Sequence, residues 1–302
     1  MKSLLKALAM LLLTTTAGAT MAQIKIIQAS PVAPDPLRGP IIGNPLAYEG
    51  PSGLMPLLQS KPAGDARYQP QIGQDGKDVI WVPTPDSLIK AMLTTAEVGP
   101  RDYVVDLGSG DGRIAIAAAR DFGARAHGIE YNPDMVMLAL RSAAKEGVGA
   151  KVTFETADIF QSDFSRATVV TLYLLPSLNL KLRDTLLKMK PGTRIASHAF
   201  DMAEWTPDQT IVTDDATGFF WIVPADASGR WAFEIGNERF VTQLAQRFQM
   251  LGAAKGNPIA DGRMRGTGVR LTRSNGATLQ GEVSGNMMVG SGWMATRIRA
   301  AE

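Results

Sequence analysis

The chain has 302 residues, 45% of them hydrophobic and 20% charged, enough for one large core with an appendage. Its formal net charge of +2 offers no imbalance that would argue for a nucleic-acid partner, since duplex binders concentrate basic residues on one face. With no cysteine there is no disulfide framework, thiolate zinc site or lipid-modified cysteine, and two histidines make a histidine-rich metal site unexpected.

At the start, Lys2 and Lys6 precede an uncharged run from Ala7 to Ala22 that contains Leu11, Leu12 and Leu13 and ends in small residues. A positive region, an apolar stretch and a small-residue end are the pattern of a signal peptide over 1–22, cleaved near Ala22 and Gln23, which implies export to a periplasmic space. The run is sixteen residues, short of the roughly 20 that span a bilayer. The alternative is an uncleaved N-terminal anchor, the only membrane attachment the sequence offers.

Residues 23–85 hold 11 of the 18 prolines and show no sustained period. Such a segment cannot propagate a helix, so 23–80 reads as an extended arm or linker, with Leu54, Met55, Leu57 and Leu58 as its packing residues. Asp75 and Gly76, between 68–72 and 79–82, fit the turn of a small hairpin. The first helix is expected from Pro85 to about Thr95, with Thr84 as its N-cap and Asp86 favourable to its dipole.

Residues 102–130 read DYVVDLGSGDGRIAIAAARDFGARAHGIE. An apolar run enters a glycine-rich turn, an alanine-rich helix follows, and a second apolar run closes on an acid, as in the unit that opens a doubly wound parallel sheet. Gly108, Gly110 and Gly112 let the turn approach a ligand, and the helix behind it points free N–H groups the same way. The spacing is GxGxG, one residue short of the dinucleotide fingerprint, and Asp106 and Asp111 would repel a pyrophosphate. Carboxylates there suit a cation, and S-adenosylmethionine carries a sulfonium, a zwitterionic methionine end and no phosphate. Glu130, 20 residues past Gly110, stands where an acid accepts from ribose hydroxyls.

Alternation of helix and strand continues to about Pro224. A helix is expected from Asn132 or Pro133 to about Glu146, with Met135 and Met137 as core, then strands over 151–155 and 167–175, the second buried on both faces. A further helix over 178–189 and strands over 193–200, 211–214 and 218–223 complete a seven-stranded, mostly parallel sheet. His198 and His127 fall in strands, where a structural role outweighs that of a base, and Asp201, Trp205 and Asp208 are expected at the rim of an acceptor entrance. From Arg230, the dipeptides Gly236-Asn237, Asp261-Gly262, Asn275-Gly276 and Gly285-Asn286 separate short alternating runs, the pattern of an antiparallel β module. Residues 241–250 read as a strand or a helix, with strand preferred. The boundaries that follow are 81–226 for the α/β domain and 227–302 for the β module.

DLGSGDGR followed by GIEYNP resembles the first two motifs of class I S-adenosylmethionine-dependent methyltransferases, a Rossmann-like α/β fold. TADIF, YLLP and KPGTRIASHAFDM fall where the later strands of that family end, and the combination resembles the small lysine N-methyltransferases of bacterial and mitochondrial type. The resemblance covers roughly 80–224. It implies a cofactor site made of Thr84, Asp106, Gly108, Ser109, Gly110, Asp111, Glu130, Tyr131, Asp158 and Ile159. Asp158 would accept from the adenine amino group and the Ile159 N–H would donate to the ring, while Thr84 either holds the methionine end or only caps its helix.

The transferred methyl is expected at YLLP, where Tyr173 and Leu175 are the candidate catalytic residues; Tyr173 is equally readable as a strand residue facing a helix. The chain lacks the Asn/Asp-Pro-Pro-aromatic motif of enzymes that methylate planar amino groups, which favours an aliphatic amine, hence a protein lysine. The alternatives are a small-molecule methyltransferase and a non-catalytic exported cofactor-binding or scaffold protein, because an exported enzyme would not obviously meet a cofactor made in the cytosol.

Overall fold

The computed structural model describes residues 68–78 and 80–298. The signal-peptide reading and residues 23–67 of the arm lie outside the described residues.

The hairpin expected at Asp75-Gly76 forms as a single antiparallel bridge between Asp75 and Ile80, with Gly73 N–H donating to Trp81 O and Trp81 N–H to Gln74 O. Helix α1 (Asp86–Thr95) follows. Its N-cap is Pro85, not Thr84: the Thr84 hydroxyl lies 3.1 Å from His198 Nδ1 instead, which corrects the capping reading.

Seven strands make the α/β sheet: β1 (Tyr103–Leu107), β2 (Arg125–Glu130), β3 (Val152–Thr156), β4 (Val169–Leu172), β5 (Arg194–His198), β6 (Gln209–Val212) and β7 (Thr217–Ile222). They lie in the order β3-β2-β1-β4-β5-β7-β6, parallel except for β7, which runs against β5 and β6. Helices α2 (Arg113–Phe122), α3 (Pro133–Lys145) and α4 (Pro176–Leu187) connect them. Side chains alternate across β1, so Val104 packs with Leu88, Met92 and the alanines of α2 on one face, and Val105 and Leu107 pack with Leu182, Leu186 and Trp221 on the other. Chain order reverses between β1 and β4, and a ligand crevice opens at such a switch point, beyond the carboxyl ends of the strands.

β4 ends at Leu172, three residues before the sequence pattern suggested, because Leu175 already has the extended N-cap conformation that starts α4 at Pro176. Trp205 is fully buried against Trp221 and Phe248, and Asp208 accepts from Ile222 N–H, so neither belongs to an exposed rim.

The C-terminal module is a closed barrel of eight antiparallel strands: β8 (Gly229–Ile235), β9 (Glu238–Arg247), β10 (Met250–Ala253), β11 (Ile259–Arg265), β12 (Gly268–Arg273), β13 (Thr278–Ser284), β14 (Met287–Gly290) and β15 (Trp293–Ile298). Pairing of β15 with β8 and of β9 with β10 closes it. Trp231, Phe233, Leu244, Met264, Leu271 and Met288 fill the interior, so the barrel is a packed core. Three of the four expected turns are hairpin turns. Asp261-Gly262 is not: Gly262 lies inside β11, where a Cβ would meet Arg270 O at 2.7 Å, so the glycine serves close strand packing.

Candidate active site

The carboxyl ends of β1, β2, β3 and β4 surround a pocket of about 240 Å³. All twelve residues singled out in the sequence line it: Thr84, Asp106, Gly108, Ser109, Gly110, Asp111, Glu130, Tyr131, Asp158, Ile159, Tyr173 and Leu175. The parallel topology explains the convergence, because every strand run that ends in one of these residues ends on the same edge of the sheet.

The glycine turn is built for close approach. Gly110 has φ +53, and a Cβ there would stand 2.7 Å from Trp81 Nε1; Gly108 has φ +74, and a Cβ would press on Leu174 at 3.0 Å. Glu130 holds this turn, its Oε2 accepting from Gly110 N–H at 2.9 Å and its Oε1 from Asn132 N–H at 2.9 Å. A carboxylate has about four acceptor positions, so two remain for a pair of hydroxyls. The backbone N–H groups of Asp111 and Ile159 make no hydrogen bond among the described residues, and the buried Ser109 hydroxyl has no partner there either.

Asp106 is buried, and its Oδ1 accepts from the Thr171 hydroxyl at 2.7 Å. Burial pushes this carboxyl up to about 7; the Thr171 bond opposes the rise, and the nearby charges of Asp111 and Glu130 add to it. Asp111 is engaged elsewhere: the Arg113 guanidinium grips it with Nη2 2.7 Å from Oδ2 and Nε 3.0 Å from Oδ1, and Arg113 Nη1 donates to Thr84 O at 3.1 Å. Thus Asp111 ties the turn to the start of α1, and Asp106 is the acid with no cationic side chain paired to it among the described residues.

At the other end, Asp158 accepts from Phe160 N–H at 2.9 Å and from Lys77 Nζ at 2.7 Å, and the Lys77 ammonium stands 4.7 Å from the centre of the Tyr131 ring. The 71–81 hairpin thereby walls the pocket through Lys77 and Trp81. Neither was singled out in the sequence. Their partners are distant in the chain, and the only available signal was the turn itself.

Near β4, the Tyr173 ring lies with its centre 3.7 Å from that of His198 and 6.3 Å from that of Phe200. Tyr173, Leu174, Leu175, Leu178 and Phe200 form an apolar wall. The Tyr173 hydroxyl makes no hydrogen bond among the described residues, and burial raises its pKa. His198 is buried, outside the pocket lining, and desolvation lowers it to about 4, so it is a neutral imidazole fixed by Thr84. His127 bonds to Thr153 at 2.8 Å, away from the pocket, as a structural residue. Among the described residues no group of three or more metal-ligating side chains is assembled.

The donor set fits S-adenosylmethionine: Asp106 for positive charge, Glu130 with spare acceptors for two hydroxyls, and an acid with a free N–H at Asp158 and Ile159 for an amino-bearing ring.

Comparison with known proteins agrees. The family model described as the ANTKMT methyltransferase domain matches residues 106–209. A protein-lysine N-methyltransferase of Saccharolobus islandicus is 42% identical over 139 residues, 45% of this chain and 86% of that one. The adenine nucleotide translocase lysine N-methyltransferase of Mus musculus is 35% identical over 127 residues, 42% of this chain, and the chain spans only 55% of its length. An RNA methyltransferase of Salinibacter ruber, solved with S-adenosyl-L-homocysteine, is 49% identical over 48% of this chain and 95% of that one, with a TM-score of 0.47. By its identity to the Saccharolobus enzyme along most of that enzyme's length, the chain belongs to the class I S-adenosylmethionine-dependent methyltransferases, in the group of the protein-lysine N-methyltransferases.

Proposed function

We propose that this protein moves the methyl group of S-adenosylmethionine to the side-chain amine of a lysine in a protein, and that residues 81–226 carry the chemistry. The observation that carries the reading is the acceptor wall. Tyr173, Leu174, Leu175 and Phe200 place no amide or carboxylate side chain beside the carboxyl end of β4, so a planar amino group would find no side-chain amide or carboxylate oxygen to hold it. An aliphatic amine needs less: an apolar sleeve and a hydroxyl or carbonyl acceptor.

Bound in this pocket, the cofactor supplies a methyl on a sulfonium, open to in-line displacement by an amine lone pair. The chain's own residues supply position and desolvation. A lysine at pH 7 must first lose a proton, which costs about 4.6 kcal/mol from a pKa near 10.4. The apolar wall lowers that cost by desolvating the ammonium. His198 does not act as the base: it lies behind Tyr173, and an imidazole titrating near 4 is too weak to deprotonate an amine.

Labelled cofactor incubated with the protein and cell extract tests the reading. Label is expected on lysine side chains. Label in nucleic acid or a small metabolite would overturn the acceptor, and absence of cofactor binding would leave the scaffold alternative.

We also propose export, supported by the Lys2 to Ala22 pattern. The mature chain should then begin near Gln23 on N-terminal sequencing, whereas an intact N-terminus recovered with membranes would establish an anchor. Among the described residues, no helix is long and apolar enough to cross a membrane.

A further inference from the structure

Four residues other than glycine have a positive φ among the described residues, and three of them are Ala199 (φ 62) and Ala203 (φ 52), both in one loop, and Phe248 (φ 54), whose ring packs on Trp205 of that loop. Left-handed backbone is unfavourable for a residue with a Cβ and persists where its surroundings enforce it, often at functional sites. Ala199 and Ala203 belong to the 199–208 loop that follows β5. Phe248 is the turn between β9 and β10 of the barrel.

The loop is held from two sides. From the α/β domain, the fully buried Asn179 of α4 donates Nδ2 to Phe200 O at 3.1 Å and to Asp201 O at 3.3 Å, and the Ser197 hydroxyl donates to Phe200 O at 2.6 Å. From the barrel, Phe248 stacks on Trp205 with ring centres 6.2 Å apart and planes 15° apart. The buried Gln249 donates Nε2 to Thr206 O at 2.6 Å, and Arg263 Nη2 meets Asp208 Oδ1 at 2.6 Å. Arg183 lies over the Phe248 ring and donates to Met202 O at 3.2 Å. Phe200, second in the loop, lines the pocket and stacks on Tyr173.

We propose that the barrel is a positioning element for the acceptor side of the site, acting through Phe248 and Gln249 on the 199–208 loop and thence on Phe200 and Tyr173. The proposal rests on the methyl-transfer reading above. Phe248 and Gln249 are the two-residue turn that joins β9 to β10, where a positive φ is ordinary; what singles Phe248 out is its ring, which that turn sets against Trp205. Phe248 and Gln249 are positioning residues: they touch neither the cofactor pocket nor the reacting atoms.

The test uses the full chain, poly-L-lysine as the probe amine, and three variants. Ala203→Gly relieves a left-handed alanine, so its thermal midpoint should be unchanged or higher. Its kcat/KM for poly-L-lysine should nevertheless fall, roughly fivefold or more, given that a 1 Å misplacement can cost a hundredfold. Phe248→Ala should lower the same quantity, and Phe248→Tyr, which keeps the stack, should restore it. Cofactor affinity by calorimetry should stay within about twofold in all three, because the loop lies on the acceptor side. Hydrogen exchange of the 199–208 amides should quicken in Phe248→Ala.

Acceptor kinetics at the wild-type level in both Ala203→Gly and Phe248→Ala would overturn the proposal, as would a parallel loss of cofactor affinity. If the wild type binds cofactor but methylates no poly-L-lysine, the probe is not a substrate, and the lysine reading is then judged by the extract labelling above. Exchange of the 199–208 amides then decides this proposal, and an unchanged rate overturns it.

Discussion

The ammonium of Lys77, at the tip of the 71–81 hairpin, lies 2.7 Å from the carboxylate of Asp158, 81 residues further along the chain, and over the ring of Tyr131. Among the described residues it is the hairpin's one side-chain hydrogen bond to the α/β domain, beside the contact of Trp81 with the glycine turn. The pair holds the Asp158 carboxyl below the usual carboxylate range. An exposed ion pair contributes little and is screened by salt. Lys77→Met should therefore raise the dissociation rate of S-adenosylmethionine only modestly, about fivefold or less, and abolish its rise with salt. Stopped-flow release at two ionic strengths checks this; an unaltered rate and salt slope would remove the hairpin as a cover of the cofactor site.

Asp106 makes cofactor binding depend on pH. Its carboxyl titrates near 7 in the free protein because it is buried, and a cation is held better by the ionised form. Affinity should rise as pH climbs through about 7, with a proton released on binding. The effect on stability has the opposite sign. A carboxyl whose folded pKa lies above its ordinary 3.8 stabilises the fold fully below that value, and the contribution is lost as pH rises through 7. Asp106→Asn should melt at a higher temperature than the wild type at pH 8 without cofactor, yet bind it more weakly, by about 1.5–3 kcal/mol for a lost charged hydrogen bond. Calorimetry from pH 5.5 to 8.5 reads both the affinity and its slope, and a slope that survives in Asp106→Asn would assign it to another group.

Glu130 organises the turn and faces the pocket, so Glu130→Ala should cost about 1.5–3 kcal/mol of cofactor affinity. Glu130→Gln keeps one oxygen for Gly110 N–H and should lose less. Equal, unchanged affinity in both folded variants would take Glu130 out of the site.

The residues at the strand ends were legible because each stands at the end of a strand-like run, and parallel pairing brings all those ends to one edge. Asp106 and Glu130 were read from that pattern, and Asp158 and Tyr173 from the resemblance of TADIF and YLLP to the family's strand ends. Lys77 and Trp81 were illegible: a two-residue turn says that a hairpin exists but not where it lands. Trp205 misled for a different reason. A tryptophan just past a strand reads as a rim residue until a partner covers it, and here Phe248, from a barrel beyond the sheet, does so. Closure of the barrel depends on the pairing of β9 with β10 and of β15 with β8, the latter joining strands at opposite ends of the module, and hairpin signals carry no record of it.

His198 and Thr84 brace Tyr173 from behind, joining the ends of β5 and β4 to the approach to α1. Removing the brace should move Tyr173. Thr84→Val and His198→Asn are each expected to lower kcat about tenfold, within the range that misplacement produces. Since the imidazole is neutral throughout, the pH profile between 5.5 and 9 should keep its shape. A profile that loses an ionisation in His198→Asn would show that the histidine titrates in turnover after all.

On the methyl-transfer reading, Tyr173 and Leu175 would divide the acceptor side between a hydroxyl and a sleeve. The Tyr173 hydroxyl makes no hydrogen bond among the described residues and, with its pKa raised by burial, stays protonated, able to accept from an amine N–H while its ring excludes water. Tyr173→Phe keeps the ring and the His198 stack and removes only that acceptor. Turnover should fall about three- to tenfold, the worth of one hydrogen bond, with cofactor affinity level. Leu175 is 41% exposed, so Leu175→Asn leaves its amide partly in water, and the loss of turnover should be smaller than that of burying an unpaired polar group. Leu174 is different: it is 4% exposed and packs on Gly108, so Leu174→Asn should damage the turn as well and weaken the cofactor. The three variants separate the sleeve from the turn. If Leu175→Asn weakens cofactor as much as Leu174→Asn does, residue 175 lies on the cofactor side, and the acceptor must approach over Phe200 instead.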